Sequence, residues 1–94
     1  MKTFEEVREL ARSQPWEKLF HRYQSAMRGE KFSDCETFDL SYACREELKE
    51  RALKHINAEA LAKMIILASG GDTPTNAHED AAIKAILMAF DSRP

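Results

Sequence analysis

Apolar positions recur along this chain with helical spacing, most clearly where Trp16, Leu19, Phe20, Tyr23, Ala26 and Met27 follow one another at three-, four- and seven-residue offsets. That pattern predicts a helix from Pro15 to about Arg28, stopped by Gly29. Ahead of it, Thr3 and Glu6 have the spacing of a capping box, in which a hydroxyl and a carboxylate satisfy each other's first-turn amides. A helix from Phe4 to about Arg12 should follow, with Phe4, Val7, Leu10 and Ala11 on one side. Pro15 separates the two, because proline disfavours helical geometry in the residue before it and suits the first turn of a new helix.

Residues 29–39 show neither the helical nor the strand period and are rich in Ser, Asp, Glu and Thr. They read as a loop, with Phe32 and Phe38 expected to anchor it in the core. A third helix is predicted to begin near Asp39 or Ser41 and to run at least to Ile56. Cys44, Leu48, Ala52 and His55 then form one stripe, opposite a mostly charged side. At Asn57 two outcomes stay open: a new helix capped by its side chain, or continuation at a small propensity cost.

The C-terminal third is the most apolar. Two segments, Ala58 to Ser69 and Ala77 to Phe90, flank the turn Gly70-Gly71-Asp72-Thr73-Pro74-Thr75-Asn76. Helices apolar around most of their circumference need cover on several sides, from the N-terminal helices, from a second copy or from a partner. In the last helix Ile83, Ile86, Leu87 and Phe90 fall on one arc, expected to be core. Ala77, Ala81, Ala85 and Ala89 form a small-residue row on the other side with Met88 beside it, a surface another helix can approach closely. Asn76 with Glu79 three residues on is the expected cap.

Together these elements predict an all-α fold, a compact bundle of four to five helices with the C-terminal apolar helical hairpin as core. Ninety-four residues suit one domain, residues 1–94. A chain of this size buries only about two-thirds of its unfolded surface, so association would help its stability. Fourteen Lys and Arg against sixteen Asp and Glu give a net charge of −2, which by itself attracts neither nucleic acid nor anionic lipid. Two cysteines, Cys35 and Cys44, are too few for a disulfide framework, and the N-terminus lacks the apolar run of a signal peptide. A soluble, cytoplasmic protein is the expectation. The longest apolar run, Met64 to Ala68, is far short of the roughly 18 residues of a membrane span.

Candidate chemistry is sparse. No short Cys-x-x-Cys or His-x-x-x-His pair nucleates a zinc site, and on a continuous third helix Cys44 and His55 stand about 16 Å apart. The serines and Cys35 lack a recognisable nucleophile surround, His21 is isolated, and Gly70-Gly71-Asp72 lacks the spacing and the Lys of a phosphate loop. Neither metal, cofactor nor catalysis is expected.

Binding is better supported. Asp34, Glu36, Asp39, Glu46 and Glu47 stand against Arg45 alone over residues 33–47, a local acidic excess suited to a basic protein surface. The alanine row (Ala77, Ala81, Ala85, Ala89, with Met88) suggests a homodimer or small oligomer. The expected function is a small non-enzymatic regulator or inhibitor that occupies a partner protein, of the kind phages and other mobile elements encode. The alternative is a DNA-associated protein using Arg12, Lys18, Arg22 and Arg28, although residues 1–30 hold six basic against five acidic residues. An unbroken helix from Ser41 to Ser69 would give the chain an order of elements that resembles the histone fold, with Ser33-Asp34 and residues 75–80 similar to that family's loops. The resemblance implies burial by pairing. The basic loop residues are absent, so it does not imply DNA wrapping.

Overall fold

The computed structural model describes residues 1–91. These are all-α: five helices, α1 (Phe4–Arg12), α2 (Trp16–Met27), α3 (Thr37–Leu53), α4 (Ala58–Ser69) and α5 (Asn76–Phe90), and no strand among the described residues. The chain falls into two compact units, Met1 to Leu48 and Lys49 onward, divided inside α3.

In the first unit the capping box forms as the sequence predicts. The Glu6 amide donates to Thr3 Oγ1 at 3.3 Å, and the Thr3 amide donates to Glu6 Oε1 at 3.1 Å. Only Val7 and Ala11 of the expected α1 face are buried, while Phe4 and Leu10 keep solvent contact. On α2 the apolar stripe is buried from Trp16 to Ala26, with Met27 left outside. Trp16, Phe20 and Tyr23 meet edge to face, at centroid distances of 6.5 and 6.3 Å. Such pairs add about 0.5–1.5 kcal/mol each beyond their buried area. Against this, the buried Trp16 Nε1–H has no acceptor among the described residues. Gly29 ends the helix with φ +83°, a conformation that strains any residue with a Cβ.

Helix α3 begins earlier than the expected Asp39 or Ser41. The Glu36 carbonyl already accepts the Leu40 amide at 3.0 Å, and the Thr37 hydroxyl ties the start to the Glu30 carbonyl at 3.1 Å. The earlier start puts Phe38 on the first turn, where it is 75% exposed rather than anchored in the core. At its other end α3 stops at Leu53, short of Ile56, as the last amides shift to three-residue bonds (Lys54 to Arg51, His55 to Ala52). Asn57 then caps a separate helix, its Oδ1 accepting the Ala60 amide at 2.8 Å. The unbroken Ser41 to Ser69 helix on which the histone-like order depended is therefore absent.

In the second unit α4 and α5 pack on each other as a helical hairpin. Gly70 closes α4 in the left-handed region at φ +62°. The cap of α5 sits one residue earlier than expected: the Thr75 amide donates to His78 Nδ1 at 2.9 Å, in place of an Asn76–Glu79 pair. Ala82, Ile83, Ile86 and Leu87 are buried, each large side chain contributing about 1.5–3 kcal/mol. Phe90, assigned to that arc by angle, is instead 55% exposed. It stacks on the His55 ring at 5.0 Å, and His55 Nε2 lies 2.8 Å from Asp91 Oδ1. Of α4 only Leu61 and Ser69 are buried. Leu67 is 79% exposed and Ile66 is also open, so much of this apolar helix has no cover among the described residues.

Candidate functional site

The five acidic residues that charge marks out do not all reach the surface. Asp34 pairs with Lys2 at 2.7 Å, and that hydrogen bond and charge lower the Asp34 pKa and raise that of Lys2. Glu47, expected on the solvent side of α3, is buried and bonds Arg8 Nη1 at 2.8 Å. With Lys2 and Arg8 counted beside Arg45, five carboxylates face three cations, and the excess shrinks to two. Glu36 is exposed, while Asp39 and Glu46 are half-buried.

What the structure adds beside Glu36 and Asp39 is an aromatic group. Phe38 and Tyr42, one turn apart on α3, stack at 6.2 Å with 16° between their planes, and Phe4 of α1 meets Tyr42 at 5.6 Å. All three rings are exposed. Tyr42 thus joins two other exposed rings, and aromatic residues are the common anchors of protein interfaces. The Phe38–Tyr42 spacing was available in the sequence. The sequence hides it, because residues 29–39 lack a period and a helix start near Asp39 or Ser41 leaves Phe38 outside the helix.

The α5 residues proposed for self-association, Ala77, Ala81, Ala85, Met88 and Ala89, are all exposed. They lie opposite the buried arc, with Lys84 as the charged residue among them. On the basic side, Arg12 pairs with Glu9 at 2.7 Å and Arg28 approaches Glu30 at 3.6 Å. Lys18 and Arg22 remain exposed and without an ion pair among the described residues.

Comparison with known protein families, with curated proteins and with solved structures found no match. Function must be read from the chain itself. Among the described residues no three His, Cys, Asp or Glu side chains gather as a metal site would require, and no helix is long and apolar enough to cross a membrane.

The two thiols are free and buried. Burial pushes the Cys35 pKa up, helped by the neighbouring Asp34 charge, and pushes Cys44 up from about 9 to about 11. Neither is a reactive thiolate at neutral pH. Because the folded value for Cys44 lies above the unfolded one, its contribution to stability is complete below pH 9 and is lost as pH rises toward 11. The loss is about 2–3 kcal/mol at the top of that window. Urea unfolding at a series of pH values should show this decline in the native chain and a shallower one in Cys44→Ala; equal slopes would contradict it.

Proposed function

We propose that this chain is a small non-enzymatic protein-binding domain, a regulator or inhibitor that works by occupying a partner protein. The exposed cluster of Phe4, Phe38 and Tyr42 carries the reading. The rings supply the apolar anchor, and Glu36 and Asp39 supply an acidic rim, so the partner surface has an apolar recess edged by Lys or Arg. Two free thiols suit a reducing compartment such as the cytoplasm.

Affinity capture with the native chain and with Phe38→Ala tests this, the captured proteins being identified by mass. Phe38 is mostly exposed, so its loss should leave the fold intact while a central aromatic anchor costs about 2 kcal/mol or more of binding. The expected result is a partner retained by the native chain, released by moderate salt and missing with Phe38→Ala. An identical set of proteins on both would sink the proposal.

The outward face of α5 supports a second element of the same reading, self-association. Small side chains let two helices approach closely, and this face offers little charge to oppose contact with a second copy. Ala85→Glu should shift sedimentation of the native chain from a larger species to the 10.8 kDa monomer. A native chain that sediments as monomer at every concentration rules the dimer out.

A further inference from the structure

The first unit holds a partly open pocket of about 180 Å³ that the protein-binding surface does not use. All three helices line it: Val7 from α1, Leu19 from α2, and Leu40 and Cys44 from α3, each buried. Its rim holds the half-buried Lys2 and the exposed Asp34 and Arg22. An apolar cavity of roughly 150 Å³ accepts a molecule the size of benzene, so a partly open pocket of this volume suits a body of about six to ten non-hydrogen atoms.

The charge at the rim decides what kind of molecule. Lys2 and Asp34 neutralise each other at 2.7 Å, whereas Arg22 has no ion pair among the described residues. One cation is therefore left over beside an apolar recess. Guanidinium binds carboxylate through paired, charge-assisted hydrogen bonds, and a single uncompensated charge matches a monoanion better than a phosphate dianion. The thiols lining the cavity stay protonated at neutral pH and add no negative charge to repel an anion. A metal ion would find neither thiolates nor a third ligand.

We propose that this cavity binds a small amphipathic carboxylate, its apolar body against Val7, Leu19 and Leu40 and its anionic head on Arg22. The site is separate from the aromatic cluster and does not depend on the protein-binding reading.

Sodium benzoate is a suitable probe, followed by amide shifts in proton–nitrogen NMR spectra of the full chain. Saturable shifts are expected at Val7, Leu19, Leu40 and Cys44, with a dissociation constant on the order of millimolar. Benzyl alcohol, of similar size but uncharged, should bind about tenfold or more weakly, as should benzoate with Arg22→Gln. Arg22→Lys should fall between. Arg22 is exposed and unpaired, so dispersed spectra of these variants will show an intact fold. Failure of benzoate to saturate, equal binding of the alcohol, or an unchanged affinity in Arg22→Gln overturns the proposal.

Discussion

Glu47→Ala should destabilise the protein by about 3–5 kcal/mol, a large share of the total for a chain of this size. The side chains of Arg8 and Glu47 are only 11% and 7% accessible, and their bond at 2.8 Å joins α1 to α3 across 39 residues of sequence. Removing the carboxylate takes away a close, buried counter-charge of the guanidinium in a place with little water to replace it. The energy lost is chiefly that desolvation, so the double variant Arg8→Met/Glu47→Leu, which removes both charges and keeps the volume, should recover most of it. Chemical denaturation of the three proteins gives the comparison. A cost near 1 kcal/mol for Glu47→Ala would mean that the pair behaves as a solvated surface bridge.

This pair also shows where the sequence was legible and where it was not. Glu47 sits in a run of charged residues, and charge alone put it on the solvent side with Glu46 and Glu50. Its burial depends on a cation 39 positions away, and no local pattern contains that fact. The same limit explains Asp34 and Lys2, which are 32 residues apart. Local rules did better where the physics is local. The Thr3–Glu6 box and the stop at Gly29 each need only a few neighbouring residues, and both form. Asn57 was undecided because its cap is worth about as much as the helix continuation it replaces.

Periodicity told which residues could share a face but not which face would be covered. The alanine row and the Ile83, Ile86, Leu87 arc separate in the structure as angle predicted, yet Phe90 on that same arc lies largely in solvent at the helix end. Helix α4 shows the limit more plainly. Its composition demands cover, yet among the described residues only Leu61 and Ser69 of the helix are buried. The aromatic cluster is hidden for a related reason: residue type alone places Phe38 in the core, although an exposed aromatic residue is the more informative case.

Two adjacent residues of α5 turn this distinction into a measurement. Leu87 is fully buried and Met88 is 55% exposed, so Leu87→Ala should cost about 2–5 kcal/mol and Met88→Ala within about 0.5 kcal/mol in the monomer. The first value combines lost transfer energy with the cavity left behind. The second stays small only while that face meets water. A self-associating chain couples its stability to protein concentration, and Met88→Ala then becomes more costly as the concentration rises, while the effect of Leu87→Ala stays tied to the core. Thermal unfolding of both variants over a hundredfold range of concentration separates these cases. A concentration-independent, small effect at Met88 would leave the outward face of α5 without a second copy, and the aromatic cluster on α3 as the docking surface to pursue.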